Sequence, residues 1–124
     1  MNFQKALNIH KELFPMASVH SQLLQFNEEK TEYETADNIE DAYCEYGDML
    51  FVIISLMRFE ETREIAGLLL DMYYFSYPVE EQKTLMSYLA KAIMKVKVRC
   101  ADKKYKLIDG VYKRDKNLYR SKKC

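Results

Sequence analysis

At 124 residues, the chain has the length of one ordinary domain, enough to bury a hydrophobic core without disulfides or bound metal. It contains only three glycines and two prolines, which disfavours a β-sandwich with many tight turns and predicts an all-α fold. The formal net charge is zero, yet nine of the nineteen Lys and Arg residues lie from Lys103 onward. An acidic body therefore precedes a basic tail, and the body lacks the broad basic surface of a nucleic-acid-binding domain.

The sequence shows no sign of export or membrane insertion. The N-terminal stretch MNFQKALNIHKELF lacks the apolar segment of a signal peptide, and every apolar run is shorter than the roughly 20 residues that a membrane span requires. The three cysteines are odd in number and include no CxxC pair, so neither a disulfide framework nor a zinc knuckle is predicted. We expect a soluble, cytoplasmic protein with no membrane partner.

The spacing of apolar residues, with caps and prolines at the boundaries, predicts five helices. They cover residues 3 to 14, about 18 to 36, about 38 to 59, about 62 to 75 and about 78 to 101. Leu23 and Leu24 are expected among the buried positions of the second helix, and His10 in the core. The run MLFVIISLM in the third helix is apolar nearly all round, as expected at the centre of a bundle or an oligomer.

The C-terminal segment differs from the helical body. We predict a helical domain over residues 1 to 102 and a basic, Tyr-rich tail over residues 103 to 124. Within the tail, Asp109 and Gly110 mark a turn that suits a small hairpin. Lys and Arg interleaved with tyrosines can also follow a phosphate backbone and stack on bases, so a nucleic-acid-binding tail is one alternative function, less favoured than the others.

Two pairs of carboxylates stand on successive predicted helices. Glu29 and Glu32 are three residues apart, as are Glu45 and Asp48, and residues at that spacing share one face of a helix. If the two helices are antiparallel, the pairs face each other, and four negative charges in one cleft repel strongly unless a cation lies between them. Oxygen ligands favour Mg²⁺, or Mn²⁺, over zinc. The simpler alternative is a solvated acidic face.

A di-iron carboxylate bundle is a weaker alternative. Such a site needs Glu-x-x-His on two helices, and neither His10 nor His20 lies three residues after a glutamate. Gly47 lies between Glu45 and Asp48. A glycine at this position is easier to explain on a helix that borders a cleft than on an ordinary helix. A glycine inside a helix costs about 1 kcal/mol relative to alanine, and close approach of a neighbouring helix or a ligand explains it.

The stretch EEKTE, twelve intervening residues, EYGD and then MLFVIISL together resemble the EExxE…ExxD motif of the MazG-like, all-α nucleoside triphosphate pyrophosphohydrolases. The resemblance implies an oligomeric helical bundle of four to five helices, and an enzyme that cleaves (d)NTPs between the α- and β-phosphates with Mg²⁺. It implies that residues 1 to 102 form the catalytic domain and that the metal ligands are Glu29, Glu32, Glu45 and Asp48. Glu28 is the candidate for orienting the attacking water.

A triphosphate also needs cations and polar contacts from the protein. The resemblance points to the end of the fifth helix, where we nominate Lys95 and Arg99, with Lys91 as an alternate. Ser55 replaces an Asn found in many relatives and lies on the face of Asp48. Gln22 and Gln25 lie on the face of Glu29 as further substrate contacts, although solvated glutamines and an ordinary basic helix end would look the same.

The sequence therefore predicts a (d)NTP pyrophosphohydrolase with nucleotide-pool house-cleaning duties, acting as a homodimer or homotetramer. The main alternative is a non-catalytic helical interaction module that keeps the bundle without the reaction.

Overall fold

The computed structural model describes residues 1 to 103 and 105 to 114, the last by its backbone alone. In this part of the chain, five α-helices precede a two-stranded antiparallel sheet. The helices are α1 (Phe3–Leu13), α2 (Val19–Glu34), α3 (Ile39–Ser55), α4 (Glu60–Leu70) and α5 (Val79–Ala101), and the strands are β1 (Tyr105–Ile108) and β2 (Val111–Arg114). The predicted all-α architecture is thus confirmed for the body, with a small hairpin added. None of the described helices combines the length and the apolar character that crossing a bilayer demands.

Side-chain caps fix where the helices begin. The Ser18 hydroxyl accepts from the backbone N–H of Ser21, whose own hydroxyl accepts from the N–H of Ser18. Asn38 caps α3 through the N–H of Asp41. Both caps satisfy N–H groups that have no partner inside a helix.

Two predicted helices end differently from their expected form. α3 ends at Ser55 and continues as a 3₁₀ turn, Leu56–Arg58. α4 passes into a π-helical turn, Asp71–Phe75. The apolar pattern runs through both turns, where Leu56 and Tyr74 are buried, so residue spacing alone does not reveal the change.

α3 is the central helix and packs against both α2 and α5. Most of its second half is fully buried, including Leu50 and Ile53, which confirms the expected core helix. His10 is buried at 4% exposure, also as predicted. Leu23 and Leu24 were predicted to be buried, and this is wrong: they are 38% and 40% exposed. The inward face of α2 instead carries Ser21 and Gln22, which are buried because hydrogen bonds replace their water contacts.

The predicted hairpin is present at the start of the basic tail. Ile108 pairs with Val111 across a turn in which Asp109 and Gly110 both have positive φ, 51° and 76°. This suits Asp-Gly in a two-residue hairpin loop. The hairpin lies against the helical body: the Tyr112 hydroxyl accepts from the backbone N–H of Met16 at 3.1 Å. The rest of the predicted tail, residues 115 to 124, lies outside the described residues.

Candidate metal centre

Three of the four predicted ligands converge. Glu29 and Glu32 of α2 and Glu45 of α3 each offer a carboxylate oxygen, and the three oxygens lie within 4.8 Å of one another. The spacing of three residues puts the first two on one helix face, and the packing of α2 against α3 brings the third opposite. The expectation that carboxylates of the two helices face each other is thereby confirmed for these three residues.

Two buried oxygens of this cluster, Glu29 Oε2 and Glu45 Oε2, have no hydrogen-bond partner in the part of the chain that the structure describes. The other oxygen of Glu29 accepts from the Gln25 side-chain amide at 2.8 Å, which holds the carboxylate in place. A buried carboxylate oxygen without a partner is costly. The cluster therefore combines carboxylate ligands with buried oxygens that lack hydrogen bonds, as expected of a site that could bind a hard cation such as Mg²⁺.

The crowding of these acids changes their proton affinity. Burial, with the nearby charges of Asp48 and Glu32, raises the pKa of Glu29 to about 9. Burial and a hydrogen bond to Glu32 raise the pKa of Glu45 to about 7. When no cation is bound, Glu29 and Glu45 thus retain protons that glutamates ordinarily lose well below neutral pH. These protons reduce the repulsion between the carboxylates.

Asp48, the fourth predicted ligand, stands beside the cluster and has a positive partner. The Lys95 ammonium lies 2.7 Å from Asp48 Oδ1 and 2.8 Å from Oδ2. Burial raises the pKa of Asp48, while Lys95 and Arg99 act in the opposite direction. The two cations nominated from the sequence therefore reach the carboxylates from α5.

Next to the cluster, a cavity of about 90 Å³ opens between α2, α3, α5 and the hairpin. Glu29 and Asp48 line it together with Lys95, Arg99 and Gln25. Negative and positive side chains thus share one small space, an arrangement that suits a metal ion with a bound phosphate.

Gln22 and Ser55 are buried, and each is bonded within the protein. The Gln22 amide nitrogen donates to the Ser55 hydroxyl at 2.7 Å and lies 3.2 Å from His10 Nε2. Arg58 Nη1 donates to the other ring nitrogen of His10 at 3.0 Å. We call His10, Gln22, Ser55 and Arg58 the histidine network. Burial and the charge of Arg58 lower the pKa of His10 to about 3, so its imidazole is neutral.

Lys91 and Glu28, which were also nominated, do not line the cavity. The Lys91 ammonium sits 4.6 Å from the centre of the Tyr88 ring. Glu28 is half exposed and pairs with Lys113 of the hairpin at 3.6 Å. Glu28 therefore points to a different side of α2 from Glu29, which belongs to the carboxylate cluster.

Sequence reasoning missed three aromatic residues of the cavity wall. Tyr105 and Tyr112 of the hairpin line the cavity with Phe14, whose ring contacts theirs edge-on at 5.4 and 4.8 Å. The Asp109–Gly110 turn was the available signal, because it fixes the two tyrosines on neighbouring strands. Nothing in the sequence showed that the hairpin would pack beside α1.

Searches for known relatives give no further guide to this cluster. No protein-family model, no curated protein and no solved structure matches the chain.

Proposed function

We propose that the chain is a Mg²⁺-dependent nucleoside triphosphate pyrophosphohydrolase that converts (d)NTP and water into (d)NMP and pyrophosphate. The observation that carries the proposal is the convergence of one oxygen each from Glu29, Glu32 and Glu45 within 4.8 Å. Two buried oxygens of these carboxylates also lack a hydrogen-bond partner among residues 1 to 103 and 105 to 114. The resemblance of the EEKTE and EYGD stretches to the MazG-like family supports the same reaction and a MazG-like bundle.

Glu29, Glu32 and Glu45 would hold the cation, and Asp48 would complete the acidic wall. Carboxylates alone form this donor set, which favours Mg²⁺ or Mn²⁺ over softer metals. When bound, the cation would neutralise and position the phosphates, which is most of what phosphoryl transfer requires. Gln25 keeps Glu29 oriented toward the cluster through its bond to Oε1.

Lys95 and Arg99 are the proposed phosphate contacts. In the metal-free chain, Lys95 neutralises Asp48. A cation in the cleft would take over that task, which would leave the ammonium free to bind a phosphate oxygen. The cavity of about 90 Å³ is well below the roughly 300 Å³ of a pocket that encloses a whole small ligand. We therefore place the phosphates inside the cavity and the nucleoside at its mouth.

Glu28 is the proposed residue for orienting the attacking water, and this role requires its release from Lys113. The ion pair is exposed on both sides, 49% and 50%, and such pairs contribute little to stability. Release is therefore inexpensive, and movement of the hairpin would accompany it.

We also propose that the enzyme is a homodimer or homotetramer. Ile65, Leu68, Met72 and Phe75 follow one another at steps of three, four and three residues, and each is between 48% and 61% exposed. This is the spacing of a helix seam that packs against another helix. Light scattering at several protein concentrations measures the assembly, and a strict monomer would contradict it.

The test of the catalytic proposal is pyrophosphate release from a panel of ribo- and deoxyribonucleoside triphosphates, with and without Mg²⁺. Glu45→Gln should abolish release, whereas Glu40→Gln, an exposed acid at the start of the same helix, should leave it intact. Full activity in Glu45→Gln, or no hydrolysis of any nucleotide by a chain that binds Mg²⁺, would reject the proposal. The second of these outcomes would favour the non-catalytic interaction module.

A further inference from the structure

A second cavity opens at the end of the bundle where α2 finishes and α3 and α5 begin. Its volume is about 190 Å³, larger than that of the cavity beside the carboxylates. The lining is dominated by tyrosines, with an acid at one side: Tyr33, Tyr43, Tyr46 and Tyr77, then Glu81, Ile39, Ala42 and Leu85. We call it the tyrosine pocket. None of the carboxylates of the metal cluster lines it, so its chemistry is separate.

Two pairs of these rings meet at nearly right angles. Tyr33 meets Tyr46 at 5.0 Å between ring centres with an angle of 85° between the planes. Tyr77 meets Tyr46 at 6.3 Å and 83°. Edge-to-face contacts of this kind are a preferred arrangement of aromatic pairs, and they hold the rings in place against one another.

Neighbouring contacts hold two of these rings in place. The Tyr46 hydroxyl donates to the backbone carbonyl of Tyr73 at 2.6 Å. The Tyr43 ring stacks on Tyr88 at 5.0 Å with only 12° between the planes. A pocket whose walls are already ordered loses little entropy when a ligand enters.

The segments that form the pocket are acidic. Residues 33 to 43 and 77 to 85 contain six carboxylates and a single lysine. That lysine, Lys83, is paired with Glu80 at 3.4 Å. The field around the opening therefore favours a positive ligand and disfavours a phosphate.

We propose that the tyrosine pocket binds a compact organic cation that carries a methylated ammonium group. Aromatic faces attract cations, and a quaternary ammonium group suits them best because it has no N–H groups to leave unsatisfied. Glu81 supplies the opposite charge at the edge of the pocket. The site is independent of the carboxylate cluster and stands whether or not the chain hydrolyses nucleotides.

The test compares choline with 3,3-dimethyl-1-butanol, its neutral carbon analogue of the same shape, by calorimetry and ligand-observed NMR on the full chain. Choline should bind, and the neutral analogue should bind at least about tenfold more weakly, since only the charged group gains from the rings. A short peptide with one trimethyllysine, run in parallel, distinguishes a free ammonium compound from a modified side chain. Binding of either cation in preference to its neutral analogue supports the proposal.

Two variants locate the site, and one serves as a matched control. Tyr33→Leu should weaken choline binding by about tenfold and Glu81→Gln by a few-fold, and Glu81 is exposed, so its replacement does not endanger the fold. Glu61→Gln, an exposed acid on α4, should have no effect. Equal binding of the neutral analogue, no binding of either cation to the folded chain, or unchanged choline binding in both site variants would each overturn the proposal.

Discussion

The carboxylate cluster and the histidine network are two groups of polar side chains that border the same cavity, and they differ in how far their buried polar atoms are hydrogen-bonded. In the histidine network, Gln22 donates to Ser55 and Arg58 donates to His10. In the cluster, by contrast, Glu29 Oε2 and Glu45 Oε2 are buried with no hydrogen-bond partner among the described residues. A satisfied network stabilises the fold, whereas an unsatisfied cluster costs stability and is retained where a ligand completes it. Mutations in the cluster should therefore change metal binding and catalysis, whereas mutations in the histidine network should change stability.

The largest expected effect is on catalysis, in the cluster. Glu45→Gln removes a proposed ligand and should lower kcat/KM for (d)NTPs by more than about 100-fold, since even residues that only orient a metal ligand contribute 10- to 100-fold. Mg²⁺ affinity, measured by calorimetry, should fall with it. A variant that loses activity but binds Mg²⁺ as tightly as the natural chain would show that Glu45 does not hold the metal.

The next largest effect is on stability, in the histidine network. Arg58→Ala removes the donor to His10 and to the Phe14 carbonyl, bonds of 3.0 and 2.8 Å. It should lower the free energy of unfolding by about 1–3 kcal/mol and leave Mg²⁺ affinity unchanged. Arg63→Ala, which removes an exposed 3.3 Å bond to Met57, is the control. A similar loss of stability in both variants would contradict a special role for Arg58.

Ser55→Ala separates a structural role from substrate binding at a single site. The change takes the acceptor from the Gln22 amide and should cost about 1 kcal/mol in urea unfolding. KM should not change if the histidine network is purely structural. An increased KM with unchanged stability would instead support the substrate contact predicted for Ser55 from the sequence.

The carboxylate cluster should also make stability depend on pH when Mg²⁺ is absent. Folded Glu29 keeps its proton up to a pKa of about 9, whereas the unfolded chain releases it near 4.5. The free energy of unfolding should therefore fall as pH rises from about 5 to about 9, by at most about 1.4 kcal/mol per pH unit. Glu29→Gln should flatten this slope, and stabilisation by Mg²⁺ should grow with pH. A slope unchanged in Glu29→Gln would assign the titration to another group.

Features set by neighbours in the sequence were predictable. The five helices, the Asp109–Gly110 turn and the shared faces of the carboxylates follow from spacing and caps over a few residues. The cluster itself needed one further assumption, that α2 and α3 are adjacent and antiparallel. A short connection makes that arrangement common.

Contacts between distant residues were not predictable in the same way. Lys95 and Asp48 are 47 positions apart, and Met16 and Tyr112 are 96 apart. Both contacts depend on how whole elements pack. The error at Leu23 and Leu24 has a related cause, because hydrophobicity alone does not show that α2 turns Gln22 inward toward a hydrogen-bonding partner on α3.

Gly47 has a consequence for the width of the cleft. A Cβ atom at this position would overlap the backbone of α5, at the carbonyl oxygen of Tyr88 and, at 2.7 Å, its carbonyl carbon. Main-chain atoms cannot rotate away, so any larger residue would push the two helices apart. Lys95 lies on α5, and Asp48 follows Gly47 directly on α3. The missing side chain at Gly47 therefore brings the Lys95 ammonium close enough to contact the Asp48 carboxylate. The width of the cleft between α3 and α5 thus depends on a residue that contributes no functional group to it.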